Sequence, residues 1–267
     1  MLLNNLTTLK KDERPLENLK ENGGYTAIFP TIACIGDSLS SGEFEYVNDN
    51  GERFFIDKFE FSWGQYIARM TGNKVYNFSR GGMSAKEYCE SFAEANDCWN
   101  TDKKATAYII ALGVNDLLGL KMPLGSIQDI DLKNPDNNKD TFAGWYAKII
   151  QKYKTINPTA RFFFVTMPKE NNVDDINNPI KVEHAKLLHD LVNVFDYSYI
   201  IDLYEYAPIY DQAFKEKFYL EGHMNPAGYY LTAVMISSYI DYLVRKDFHA
   251  FTQVGFIGTN EYRYDLD

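Results

Sequence analysis

The sequence predicts an α/β protein, a three-layer α/β/α sandwich built on a parallel sheet. Two observations predict it. Short, continuous apolar runs recur along the chain, as expected of strands covered on both faces. Amphipathic stretches with helical spacing separate them, so strand and helix alternate. Right-handed crossovers between successive strands would then place helices on both sides of the sheet.

Taken in order, residues 31–36 (TIACIG) form the first predicted strand and end in a glycine. Residues 44–61 (FEYVNDNGERFFIDKFEF) interrupt the alternation. Their Asn-Asp-Asn-Gly turn between aromatic runs predicts an inserted hairpin. Residues 62–71 carry Trp63, Tyr66, Ile67 and Met70 on one helical face. Strands follow at 73–78 and 105–112. Residues 119–140, rich in Asp, Asn, Lys and Pro, read as a long loop. A helix over 141–154 presents Phe142, Trp145, Ile149 and Tyr153, and the next strand is 160–166. An amphipathic helix over 181–194 carries Val182, Leu187, Leu188, Leu191 and Val194, and because the segment is charged its His184 and His189 read as surface residues. The fifth strand is 197–203. The last long helix, 226–245, starts at Pro226, a residue suited to a first helical turn. A tail begins at about 246. Without repeats or linkers, residues 1–267 read as one domain.

Composition narrows the function classes. Apolar residues make up 45%, enough for a full core, and the 20 Tyr and 18 Phe suit an apolar or sugar-stacking surface as well as core packing. A formal net charge of −10 repels a nucleic-acid backbone, and the basic pairs Lys10-Lys11 and Lys103-Lys104 are too small to reverse this. Nucleic acid is therefore not the expected partner. Cys34, Cys89 and Cys98 form neither a disulfide framework nor a zinc pattern. The stretch MLLNNLTTLKKDERPLENLK lacks the apolar region of a signal peptide, and no run is long enough to insert into a membrane. The expected location is the cytoplasm, unless a leader has been removed.

Four short constellations carry chemistry. Gly36-Asp37-Ser38-Leu39-Ser40 follows the first strand, where a serine hydroxyl and helix-start N–H groups can meet a ligand. Ser38 there fits a nucleophile or an ordinary helix cap equally well. Asn77 to Ser84 (NFSRGGMS) follows the second strand, with Gly82 able to bring an N–H to an oxyanion or to make a turn. Gly113-Val114-Asn115-Asp116 follows the third; Asn115 is a neutral donor or a turn residue. Gly222-His223-Met224-Asn225-Pro226 precedes the last helix, and of the four histidines only His223 is placed to face a cleft as a base.

In the order Ser, Gly, Asn, His, these blocks resemble the GDSL/SGNH hydrolase superfamily over roughly residues 31–245, read here as GDSLS, the glycine at 82, GVND and HMNPAG. The resemblance implies a flavodoxin-like sandwich with a five-stranded parallel sheet, and ester hydrolysis without metal or organic cofactor. It implies Ser38 as nucleophile and His223 as base, with an oxyanion hole from the Ser38 and Gly82 N–H groups and the Asn115 amide. No GxSxG sequence points to a different hydrolase fold. The expected substrate is a carboxylic ester, with short acyl groups such as acetyl on a carbohydrate or small molecule.

One position departs from the family. An Asp usually stands three residues before the histidine; here it is Leu220. Glu221, or Asp202 after the fifth strand, is then a candidate to orient the imidazole, and a main-chain carbonyl is the expected alternative. The missing Asp also leaves open a catalytically impaired binding module. A metal-dependent phosphoesterase using Asp37, Asp116 and His223 lacks the ligand spacing to support it.

Overall fold

In the computed structural model, residues 8–170 and 176–266 are described. The first seven residues of the stretch read for a leader, and residue 267 of the predicted tail, lie outside them. Among the described residues five parallel strands form the central sheet: β1 (Thr31–Gly36), β4 (Lys74–Ser79), β5 (Ala107–Ala111), β6 (Arg161–Val165) and β7 (Ser198–Ile201). Their order is β4-β1-β5-β6-β7. The strand connections therefore reverse direction at β1, and in such sheets ligands gather at the carboxyl ends beside that reversal. This is the expected α/β sandwich with its five-stranded parallel sheet.

Strand β6 shows why these runs become interior strands. Phe162, Phe163 and Phe164 are all fully buried, pointing alternately to opposite faces. Phe162 stacks on Tyr108 and Phe164 meets Tyr146 edge-on, while Phe163 meets Phe29 on the other side. Each buried ring contributes roughly 1.5–3 kcal/mol relative to leaving it exposed.

Helices α2 (Trp63–Thr71) and α5 (Pro226–Lys246) pack together on one face, joined by an edge-on Tyr66–Tyr230 contact. On the other lie α3 (Phe142–Ile156) and α4 (Asn178–Val192), where Phe142 packs on His184. His184 is therefore interior, not on the surface. Its ring meets the Leu112 carbonyl at 3.2 Å, and burial pushes its pKa down to about 4. The helical period puts it on the same inward side as Leu187, Leu188 and Leu191, a placement its neighbouring charges conceal. His189 is half-exposed as its helix face suggested.

The 119–140 stretch is tied down by short turns. Asp131 accepts from Lys133 and Asn134 N–H and from Asn137, and Gln151 on α3 donates to its carbonyl. The stretch after α5 folds under the opposite end of the sheet, burying Phe251, Val254, Ile257 and Tyr262. There the buried Arg161 guanidinium donates to the carbonyls of Thr159 and Ala250 and to Tyr262 Oη. No described helix is long and apolar enough to cross a membrane.

Between β1 and α2 the chain makes helix α1 (Ser38–Ser41) and then an antiparallel pair, β2 (Glu43–Val47) and β3 (Arg53–Asp57). This hairpin hydrogen-bonds to neither edge of the central sheet. It stands over the sheet's carboxyl end, with Phe44 against Phe61 and Tyr229.

Candidate active site

The site begins where β1 runs out. Gly36 ends the strand and Asp37 caps α1, its carboxylate accepting the Leu39 N–H at 3.0 Å. Ser38 is thereby the first residue of α1 and is partly exposed. Among the described residues its N–H donates to no acceptor. Burial pushes Asp37 up to about 7 against the pull of the Leu39 N–H, and the Asp116 and Glu43 carboxylates add to the rise.

The loops after β4 and β5 are stitched to this turn. The Arg80 N–H donates to the Gly36 carbonyl at 3.4 Å and the Ser79 hydroxyl to the Cys34 carbonyl at 3.1 Å. Gly82 has φ +72° and open space where a side chain would sit. That left-handed conformation suits glycine, and its N–H has no acceptor among the described residues. Asn115 donates one amide hydrogen to the Met83 carbonyl at 3.1 Å, which fixes the amide and leaves its second hydrogen to point elsewhere. Asp116 holds the same loop pair from beneath, accepting the Ala85 N–H at 2.8 Å; burial raises its pKa to about 6.

His223 arrives from the far end of the chain on a two-residue strand, β9 (His223–Met224), paired with β8 (Tyr219–Leu220). Asn225 then caps α5 by accepting the Gly228 N–H. The short strand β9 lies against α1 and against β2. Tyr229 on α5 closes the circle, its hydroxyl meeting the carbonyls of Ser38 at 3.4 Å and Glu43 at 2.5 Å. The loops bearing Ser38, Gly82, Asn115 and His223 are thus gathered at one end of the sheet.

The imidazole is flanked by two carboxylates from β2. Nδ1 meets Glu45 Oε2 at 2.9 Å and Nε2 lies 3.2 Å from Glu43 Oε1. Glu45 is only 2% exposed, and its carboxylate also accepts the Gly222 N–H at 3.0 Å and pairs with Arg53. Burial alone would raise the Glu45 pKa, but His223, Arg53 and the Gly222 N–H together hold it below its usual range. Glu43 is raised, mainly by burial, with His223 opposing and Asp57 and Glu45 assisting. The ring of Phe55, 53% exposed, stands edge-on to His223 at 5.7 Å.

Neither carboxylate named in the sequence reading meets His223. Glu221 is exposed at φ +55°, and its strand neighbour Leu220 is exposed too. Asp202 caps the turn Leu203–Tyr206, accepts from Thr166, and takes a 2.7 Å hydrogen bond from His189, whose pKa it raises. No main-chain carbonyl takes the Nδ1 position either, because Glu45 fills it. The sequence did contain a signal for Glu45: Glu43 and Glu45 alternate along a strand, so both project from one face. Which face that is depends on how the hairpin docks. Asp37, Asp116 and His223 do not share a coordination point, and among the described residues no group of three or more His, Cys, Asp or Glu is placed to hold a metal ion.

The GDSL-like lipase/acylhydrolase family model matches residues 32–233, a span that includes all four motif loops and the hairpin. No curated protein matches the sequence. Among solved structures, a Lactobacillus plantarum protein is 19% identical with a TM-score of 0.57, over 80% of this chain and 97% of the other. A family 2 carbohydrate esterase with a carbohydrate-binding domain from Corynascus thermopiles (Myceliophthora fergusii) is 14% identical, TM-score 0.56, over 88% and 69%. A family 2 carbohydrate esterase from Clostridium thermocellum, solved with cellohexaose, is 15% identical, TM-score 0.55, over 89% and 67%. At these identities the likeness is one of fold.

Proposed function

Since this chain belongs to the GDSL-like lipase/acylhydrolase family and is a serine ester hydrolase, we propose that it removes short acyl groups, such as acetyl, from carbohydrate or small-molecule esters through an acyl-enzyme on Ser38. The observation that carries the reading is the gathering of Ser38, Gly82, Asn115 and His223 at one end of the sheet, with N–H donors unspent at Ser38 and Gly82.

Ser38 Oγ attacks the acyl carbonyl and passes its proton to His223 Nε2. Negative charge grows on the carbonyl oxygen, where the Ser38 and Gly82 N–H groups and the free Asn115 amide hydrogen receive it. Collapse returns the His223 proton to the leaving alcohol. Water then attacks the acyl-serine by the same route, with His223 again taking and returning one proton. No step requires a metal or organic cofactor. For this exchange Glu43 must yield Nε2 to the serine.

Support for a carbohydrate alcohol comes from the exposed Phe55 ring beside His223, a flat apolar wall of the kind a sugar face packs on. It also comes from the two carbohydrate esterases of the same fold. The test is hydrolysis of p-nitrophenyl esters of increasing chain length and of an acetylated oligosaccharide. Turnover should be highest for acetyl, and Ser38→Ala should lower kcat by about 10³-fold or more. Undiminished turnover in Ser38→Ala would remove the serine from the mechanism, and a preference for long acyl chains would remove the short-acyl assignment.

A further inference from the structure

We propose that Glu45, carried on the inserted hairpin, is the positioning carboxylate of His223 and replaces the acid missing at residue 220. The proposal rests on the serine-esterase reading and adds a third member to it from a different part of the chain.

A histidine base must present an unprotonated Nε2 to the serine, so the neutral ring must carry its proton on Nδ1. An acceptor facing Nδ1 selects that tautomer. If the acceptor is anionic, it also stabilises the imidazolium formed when the serine proton arrives. The Glu45 contact at 2.9 Å meets the first requirement once Glu43 has yielded Nε2. The second requires Glu45 to stay ionised although buried, and its other contacts serve this. The Gly222 N–H donates to the oxygen that faces Nδ1, while Arg53 on β3 pairs with the other oxygen. A carboxylate with each oxygen so held has little freedom to rotate away.

The sequence around both ends fits this docking. Gly222, next to the histidine, has no side chain, and a Cβ there would collide with Glu45 Oε2. Phe55 lies opposite Glu45 in the hairpin register, and its ring meets the imidazole edge-on. The alternatives are committed elsewhere: Glu221 is exposed, and Asp202 holds His189, Thr166 and a helix start. Glu43 occupies the Nε2 edge and cannot select the tautomer the base needs.

The test compares wild type with Glu45→Gln, Gly222→Ala, Glu221→Gln, Ser38→Ala and His223→Ala on p-nitrophenyl acetate. Folding is checked by circular dichroism. Histidine labelled with ¹⁵N reports which ring nitrogen of His223 carries the proton. Glu45→Gln should lower kcat by about 10²- to 10⁴-fold with KM changed less than about 3-fold, because a Gln amide can present an N–H to Nδ1 and favour the wrong tautomer. The His223 spectrum should change with it. Gly222→Ala, which keeps the carboxylate but displaces it, should lower kcat in the same direction. Glu221→Gln should stay within about 3-fold of wild type. If Glu45→Gln keeps both wild-type kcat and the wild-type tautomer while Ser38→Ala and His223→Ala are inactive, the role of Glu45 is refuted and the esterase reading stands. If Ser38→Ala is as active as wild type, the esterase reading fails and takes the role of Glu45 with it.

Discussion

At the scale of single residues, the site holds more negative charge than its chemistry needs. Asp37 and Asp116 belong to the loops that carry Ser38 and Asn115, and both are raised by burial. For Asp37 the sign follows from linkage. Its pKa rises from 3.8 in the free side chain to about 7 when folded, so between these values the folded state binds a proton that the unfolded chain has released. Its contribution is therefore most favourable at low pH and is lost as pH rises from about 4 to 7. Asp37→Asn cannot ionise, and its amide oxygen can still accept the Leu39 N–H. The variant should gain stability over wild type progressively across that window and hold the gain above it. The ceiling is on the order of 4 kcal/mol at pH 8, from about 1.4 kcal/mol per pKa unit. Urea midpoints at pH 5 and pH 8 measure it, and an equal gain at both would show that Asp37 ionises as an ordinary carboxylate. Residues differ in how legible they were. Ser38, Gly82, Asn115 and His223 could be nominated because each sits in a short local pattern at a strand end or helix start. Glu45 could not be paired with His223, because their contact joins residues 178 apart in the chain and is set by how the hairpin docks.

Elements were more legible than contacts. The runs at 31–36, 73–78, 105–112, 160–166 and 197–203 coincide with β1, β4, β5, β6 and β7 to within two residues at each end. Fully covered strands must be continuously apolar, and that pattern is local. The turns inside 119–140 and the short helix Gln212–Phe218 were not legible, since their stability comes from capping and tertiary hydrogen bonds rather than periodicity. Helix α2 shows how an element is fitted to the sheet. Its Gly64 lies over β1, and a Cβ there would sit 2.8 Å from Sγ of the fully buried Cys34 and 3.3 Å from Val75 Cγ1. Gly64→Ala should therefore push α2 off the sheet and cost about 1–3 kcal/mol, outweighing the better helix propensity of alanine. Chemical denaturation reads this directly; a stabilised variant would mean that α2 shifts freely.

For the whole molecule, the parallel sheet and the alternation of helices were readable because strand and helix patterns alternate along the chain and crossovers have one handedness. The strand order was not, because it depends on which edge each crossover joins. Nor was the docking of the hairpin, and it divides the molecule into parts of unequal resilience. Strands β2 and β3 hydrogen-bond to each other and stand apart from the five-stranded sheet. Several of their large side chains, including Phe54, Phe55 and Ile56, remain exposed, so less buried area holds the hairpin than holds the sheet. Partial opening should then require less free energy than global unfolding. Heating should release the hairpin reversibly while the sheet persists, and esterase activity should fade several degrees below the calorimetric melting temperature and return on cooling. Hydrogen exchange should find the β2 and β3 amides opening before those of β1, β5 and β6. Coincident loss of activity and of the sheet would instead make the hairpin part of one cooperative unit. A carboxylate supplied by such an appendage would make the working temperature of the enzyme a property of how firmly the hairpin is docked rather than of the sheet.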